Sequence, residues 1–596
     1  MTEAATLIGH VAAVTGAKVL VHLLSTAMAP LLYLKGESYR LGQVGAFVRI
    51  PMGYSQLYAV CTQVGAVPLA GTVEAPIPAG QGWMNVALFG ESLGASFERG
   101  VAQFPTIGDE VHLVTESDLE LIFGKRANDT YVEVGRIASS SGIRASVNLD
   151  RLVSRHSAVV GSTGSGKSNF VTVLLESIAR SDFPSARVLV IDPHGEYSQS
   201  LGSSAKVLTA MNSAAPIGSK FFLPYWALPF SILSDLMFGG LQPAVEEEIR
   251  RQVMDLRLRS RRHLAKAIPK ESITADSPIP FSVRRLWHQL QGFENMTFQD
   301  NGRTQPTAQL DKGSIRRLRP PKYPPAAPTS AAPYKNPRAL GIQRQLDLMK
   351  NRLQDSRFSF LFQPPTDYAP SRRGKCNKDI GELVSSWVGH DKPVTVLDVS
   401  AVPSEVLTII IGALLRVIYE VLFWAGELDC GGRKQPLLIV LEEAHLFLPN
   451  EGEGPAQEIV SKIAKEGRKY GVGIMLVSQR PTDLDASALS QCGSIVALRT
   501  TNASDRSRIE SSLPDDLGEI GGTLPALRTG EGVVIGEAVP APSRIRFDLS
   551  IRKDEMSSPS IKNGWRKTLR PAAALYDDAV ANWRAREYLF PEDHNG

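Results

Sequence analysis

Between residues 159 and 171 the chain reads VVGSTGSGKSNFV. Gly161, Gly164, Gly166, Lys167 and Ser168 fit the pattern G-x-x-x-x-G-K-[ST]. Glycines let a backbone curl until its N–H groups converge on one point, and a helix that follows adds its positive end. The apolar run before this loop predicts a strand. The run after it, 167–180, predicts a helix with Phe170, Val171, Leu174, Leu175 and Ile178 on one side. A loop of this kind between a parallel strand and a helix confines the chain to the α/β class and binds a nucleotide's phosphates. On that reading the loop residues Gly161, Ser162, Thr163, Gly164, Ser165, Gly166, Lys167, Ser168 and Asn169 line the phosphates of ATP. The Lys167 amine reaches the β- and γ-phosphates, and the Ser168 hydroxyl ligates Mg²⁺.

The rest of the chain divides around that loop. Residues 1–135 carry short β-branched runs separated by Gly, Pro and Ser, which predicts a small barrel. From 136 to 232, and again from 386 to 548, strands alternate with helices, the grammar of a parallel sheet. GVVIG at 532–536 is counted among those strands. Between the halves, 233–385 reads as a helical insertion, with a Pro-rich exposed loop or linker at 318–338 and a strongly basic stretch at 249–270. A solvated helical face accounts for the basic stretch at least as well as a ligand surface. Residues 549–596 form a C-terminal tail or brace.

Composition excludes more than it assigns. Hydrophobic residues make up 43% and charged residues 21%, ordinary for a globular chain, and a net charge of +4 permits a polyanionic partner without arguing for one. Cys61, Cys376, Cys430 and Cys492 form no CxxC pair, so a zinc site or disulfide framework is not expected and a reducing cytoplasm fits. The N-terminus lacks a basic segment followed by an apolar run, so no signal peptide is expected. The most apolar segment, 406–425, contains Arg416 and Glu420 four apart on one helical face, which predicts a core helix rather than a membrane span.

Acidic residues fall where strands should end. DPHGEY places Asp192 after the strand that follows the loop helix, in reach of Mg²⁺. LLIVLEEAH ends a buried strand in two acids: Glu442 stands where a metal-orienting carboxylate would be, and Glu443 where a base would polarise an attacking water. Gln479, in VSQRP, ends a further strand and is placed to sense the γ-phosphate.

This order of segments resembles the HerA family of hexameric DNA translocases, within the FtsK/HerA superfamily. The resemblance runs over about 1–550 and is most specific in DPHGEY and in the stretch from EEAH through EGRKYGVG to SQRP. It implies a RecA-like P-loop core, an N-terminal HAS barrel, a homohexameric ring with duplex DNA in its pore, and an effector protein docked on the barrel ring. The effector would be a nuclease or a sirtuin-like protein. Bacterial anti-phage defence is favoured. DNA-end resection with a NurA-type nuclease and an ATP-switched scaffold are the alternatives. A secretion or conjugation coupling ATPase is disfavoured because no membrane anchor precedes the motor. The match places a trans-acting arginine finger at Arg468, with Lys469 as a second cation. The residues themselves predict a helix of about 15 residues, roughly 22 Å, from Pro455 to the stop at Gly471, with Glu458 and Lys462 paired. As a crossover it carries Arg468 away from its own nucleotide.

Overall fold

The computed structural model describes residues 6–24, 32–34, 37–39, 43–65, 82–124, 130–140, 142–180, 183–210, 218–328, 331–451, 454–512 and 521–551, with 577, 580 and 584. The expected C-terminal brace beyond 551 otherwise lies outside the described residues.

The N-terminal segment closes into a six-stranded antiparallel barrel. Leu7–Thr15, Glu110–Leu113, Phe47–Met52, Ser55–Gly65 and Trp83–Leu93 follow one another, and Lys18–Leu23 joins the last to the first. Alternation makes the barrel's interior: Val19, Val21, Ile50, Leu57, Val86 and Val111 are all fully buried within it. Ser96–Arg99 hangs on the outside as a hairpin partner of Trp83–Leu93.

The second body is a twelve-stranded sheet. Its parallel part runs, in spatial order, Ser494–Leu498, Ser157–Val160, Val472–Ser478, Leu437–Leu441, Arg187–Asp192, Val394–Asp398, Ala205–Thr209 and Ser219–Lys220. The central strands are buried along their whole length, as a sheet covered on both faces requires. The loop helix Lys167–Arg180 buries all five residues of its expected apolar side. Helix Ser404–Ala425 packs on Pro455–Glu466, and Arg416 pairs with Glu420 at 3.3 Å and Glu458 at 3.1 Å. That helix is long and apolar enough to cross a membrane, but 67% of its apolar window is buried inside the molecule.

Four details differ from the sequence reading. Glu531–Gly536 is antiparallel to Ser494–Leu498, not parallel, because it starts at the same sheet edge where that strand ends: Gly530 N–H donates to Ser165 O at 3.0 Å. Strand Tyr131–Ile137 straddles the boundary at 135; it pairs with Ser543–Phe547 and Arg144–Asn148 in the large sheet, so the barrel ends earlier. Glu458 meets Arg416 rather than Lys462, whose amine sits 4.9 Å above the Tyr419 ring. The Pro-rich segment is pinned rather than free: Thr297 Oγ1 donates to Pro324 O at 3.0 Å, Asn336 Nδ2 to Phe293 O at 2.8 Å, and Leu318 is buried.

The insertion is helical, chiefly Phe230–Phe238, Pro243–Ser260, Val283–Asn295, Gln343–Gln354 and Ile380–Val388. Its large side chains Phe281 and Trp287 belong to the same continuous core as the sheet. It therefore extends the motor's hydrophobic core instead of forming a separate one.

Candidate active site

In a parallel sheet every strand delivers its last residue to one edge, where ligands bind. Here that edge gathers the loop 161–166, Asp192, Asp398, Glu442, Glu443, Ser478 and Gln479. The loop's shape depends on its glycines. Gly164 (φ +72°) and Gly166 (φ +107°) occupy the left-handed region, and a Cβ on Gly166 would meet the Gly530 backbone at 3.2 Å. A Cβ on Gly161 would lie 2.7 Å from Ser165 Oγ and 2.8 Å from Leu498 Cβ. Ser162 ties the loop to the neighbouring strand end, its Oγ donating to Arg499 O at 2.8 Å.

Lys167 is buried, and its Nζ donates to Gly161 O at 3.0 Å and Ser162 O at 3.4 Å. Burial lowers its pKa; the carboxylates of Glu442, Glu443 and Glu196 oppose that. A buried ammonium that has only carbonyls for partners is suited to an incoming phosphate. Ser168 is half-buried in the helix's first turn, open to a hard cation. Among the described residues no group of three or more His, Cys, Asp or Glu forms a metal site. Ser168 is placed to hold a Mg²⁺ ion together with the nucleotide's phosphates, the metal's usual manner of binding.

Glu443 is the most unusual residue of the edge. It is 6% exposed and its backbone sits at φ 49°, ψ 50°, a left-handed conformation that costs a residue with a Cβ about 1–3 kcal/mol. His194 Nε2 lies 3.6 Å from its Oε1, and His445 Nδ1 3.3 Å from its Oε2. The second approach lacks hydrogen-bond geometry, so among the described residues the buried Oε2 has no donor. Burial lowers the His445 pKa, against the pull of Glu443 and Asp483. An acid held in a strained turn, beside a phosphate loop, with a vacant acceptor is equipped to take a proton from water.

Asp192 and Glu442, expected beside Mg²⁺, both stand at this edge and have partners within the protein. The Asp192 carboxylate is fully buried and accepts backbone N–H bonds from Gly195 at 2.8 Å, Tyr197 at 2.9 Å and His194 at 3.2 Å. It folds the turn that carries His194, and its pKa is pushed up to about 6, chiefly by burial. Glu442 accepts from Tyr197 Oη at 2.6 Å, and burial raises its pKa to about 8. Both acids brace the site. The Asn169 side chain forms a clasp: its Nδ2 donates to Asp548 O at 2.8 Å, and its Oδ1 accepts from Ser550 N at 3.1 Å.

Gln479 reaches the loop itself, accepting from Thr163 Oγ1 at 2.6 Å. Arg468 and Lys469 lie apart from all of this. Helix Pro455–Glu466 tightens into a 3₁₀ turn, Gly467–Tyr470, which leaves both side chains exposed. Arg468 acts electrostatically on His156, at the start of strand Ser157–Val160 and so at the opposite sheet edge. Sequence reasoning missed His194, Tyr197, His445 and the Gly530 contact. The first three lay inside the motifs DPHGEY and EEAH, but nothing in one dimension shows that these two motifs converge on Glu443.

Comparison with known proteins bears on this edge as a whole. Residues 132–418 match the family model for the central domain of helicase HerA, and 400–543 the model for the HerA-like C-terminal domain. The DNA double-strand break repair helicase HerA of Pyrococcus furiosus is 25% identical over 469 residues, 74% of this chain and 73% of that one. Its namesake in Sulfolobus acidocaldarius is 25% identical over 482 residues, 80% of each. Among solved structures, VirB4 of Thermoanaerobacter pseudethanolicus covers 72% of this chain and 98% of its own, at 13% identity and a TM-score of 0.44. The two family models overlap and between them take in every strand end of the site, and the chain belongs to the HerA helicase family.

Proposed function

We propose that this protein is a ring-forming motor that hydrolyses ATP to move along double-stranded DNA. That the chain is an ATPase of the helicase class follows from its family. The observation that supports the hydrolytic step is Glu443, strained, buried and short of a donor among the described residues, at the edge that also holds Lys167 and Gln479. Mg²⁺, when bound, would supply positive charge that offsets the charge of the phosphates. Lys167 gives up its carbonyl partners for phosphate oxygens, and Ser168 offers its hydroxyl to the metal. Glu443 takes the proton of the attacking water at Oε2, and the imidazoles of His194 and His445 keep that carboxylate aimed. Gln479 reports the occupancy of the γ-position through Thr163.

The placement of Arg468 supports a homohexamer. An exposed arginine at the far sheet edge completes no site of its own but reaches a neighbour's across a ring. The test is mixing. Arg468→Ala rings bind ATP and hydrolyse it poorly, and adding Lys167→Ala subunits restores activity, because a mixed interface unites an intact loop with an intact finger. Absence of recovery in mixed rings verified by mass would exclude a finger in trans. Lys469 serves beside it.

In this reading the barrels form a docking ring for an effector, a nuclease or sirtuin-like protein, and the assembly serves anti-phage defence in the cytoplasm. Deleting the barrel should abolish co-purification with the neighbouring gene product while nucleotide binding persists. DNA-stimulated ATP hydrolysis separates a motor from an ATP-switched scaffold, for which stimulation should be absent.

A further inference from the structure

The insertion carries a face whose charge nothing in the ATP site uses. Helix Val283–Asn295 presents Arg284, Arg285 and His288 on one side, at the three- and four-residue spacings that share a helical face. Each of the three bonds a backbone carbonyl of another segment. Arg284 Nη1 donates to Arg316 O at 2.7 Å, Arg285 Nη1 to Arg372 O at 3.1 Å, and His288 Nε2 lies 3.0 Å from Lys312 O. The helix thus draws two loops together. The first, 311–322, is a pinched hairpin: Ser314 and Arg319 exchange backbone bonds at 2.8 and 3.0 Å, and Lys322 N donates to Asp311 O at 2.8 Å. It leaves Lys312, Arg316, Arg317 and Arg319 exposed. The second, 371–375, is a turn closed by Gly374 N donating to Ser371 O at 2.9 Å. It leaves Arg372, Arg373 and Lys375 exposed.

The basic stretch 249–270 resolves into two parts around this face. Its first part is spent internally: Arg250 meets Glu246 and Asp276, Arg251 meets Glu248, and Arg257 is buried. Its last part adjoins the turn, because Ser260 Oγ lies 3.4 Å from Arg373 O and the next residues are Arg261 and Arg262. Carboxylates are scarce. Arg319 pairs with Asp311 at 3.5 Å, and Asp367 at the margin is taken by Lys378 at 3.8 Å. Among the described residues none of Lys312, Arg316, Arg317, Arg372, Arg373 or Lys375 forms an ion pair.

We propose that this face is a second nucleic-acid site, which grips duplex phosphates outside the motor's nucleotide edge. It rests on the DNA reading above and deepens it. Half-buried arginines locked onto carbonyls fix the loops, and the exposed arginines of those loops are the ligand-facing layer. Arginine's planar fork matches phosphate oxygens in pairs. A face built from two loops and a helix end, rich in cations and poor in aromatic side chains, suits backbone contact without base reading. Such a site holds DNA through the part of the ATP cycle in which the motor's own grip is released.

The experiment uses the full chain, without nucleotide, and a fluorescent duplex of about 30 base pairs titrated between about 50 and 200 mM salt. The variant is Arg316→Ala/Arg317→Ala/Arg372→Ala/Arg373→Ala; all four side chains are exposed, and none touches the ATP site. The variant should lose at least about tenfold in affinity. Each lost phosphate contact should lower the slope of log K against log salt by about 0.9. ATP hydrolysis without DNA should be unchanged, which also reports a folded motor. The pair Arg316→Ala/Arg317→Ala alone should give about half the change in slope. Equal affinity and slope in variant and wild type would overturn the proposal. Loss of binding to anionic phospholipid vesicles with DNA binding intact would overturn it too, and reassign the face to membranes. If the wild type neither binds the duplex nor shows DNA-stimulated hydrolysis, the motor reading fails together with this one. If stimulation persists while nucleotide-free binding is lost, the second site stands apart from the motor's.

Discussion

Glu443 at the sheet edge and Arg257 in the insertion are both buried charges, and they are held in opposite ways. Arg257 is fully enclosed, with Nη1 bonded to Ser277 O and Nη2 to Leu228 O at 3.2 Å and Trp226 O at 3.4 Å. The Phe281 ring lies 5.4 Å from its guanidinium, and burial lowers its pKa to about 10. Only Nε is left without a partner. Glu443 has instead a strained backbone, two imidazoles that approach without bonding well, and an open Oε2. A guanidinium enclosed in the core and fixed by backbone carbonyls holds a fold. A charge flanked by side chains, with capacity left over, can exchange a proton. The comparison separates structural from chemical burial by whether the group stands at the nucleotide edge.

The sharpest way to break it is to remove each charge. Glu443→Gln should lower ATP turnover by about 10²–10⁴-fold while ATP still binds, since only the base is lost. Turnover near wild type would place the base elsewhere. Lys167→Ala should abolish turnover and weaken ATP binding as well. Arg257→Ala should act on stability alone. It strands buried carbonyls at about 1–3 kcal/mol each, lowering the unfolding midpoint in a denaturant titration, while kcat of the folded enzyme stays within roughly twofold. A selective fall in kcat would contradict its structural role.

Smaller effects test the flanking groups. His445→Gln and His194→Gln should each reduce kcat by about tenfold with little change in KM, because a misaimed carboxylate affects the transition state more than substrate binding. A KM effect without a kcat effect would make them nucleotide contacts instead. The smallest effect is expected from Glu442. Its pKa stands raised from the ordinary 4.5 to about 8, so the folded state keeps a proton that the unfolded state releases. Stability from this group is full below about 4.5 and is lost as pH rises through about 8. In nucleotide-free protein the wild type's unfolding temperature should therefore fall over that range. In Glu442→Gln, which still offers Tyr197 an acceptor, the fall should be smaller by roughly a few degrees. Identical pH profiles would show that Glu442 does not carry the proton.

Much of the motor was legible. Continuous apolar runs such as LLIVL and VGIMLVS reveal buried parallel strands, and Pro455 and Gly471 mark where their helix and its 3₁₀ extension begin and stop. The antiparallel strands Tyr131–Ile137 and Ser543–Phe547 were not. They are short, half polar, and defined by pairing with each other across more than 400 residues, as Gly135 with Phe547. The clasp made by the Asn169 side chain was hidden for the same reason. The residue's neighbours in sequence are phosphate-loop residues, but its partners are Asp548 and Ser550.

By itself the sequence determined the phosphate loop, the order of the strands' acids and the presence of a basic insertion, because local propensity and hydrophobic period act over a few residues at a time. Tertiary structure alone decided which of those charges are free to act. Asp192, Glu442 and Glu443 are alike in composition and in place, yet the first is consumed by three backbone donors and the second by a tyrosine. The third keeps an oxygen open. Reactivity depends on desolvation and on partners supplied by distant segments, and neither is a property of the residue or of its neighbours along the chain.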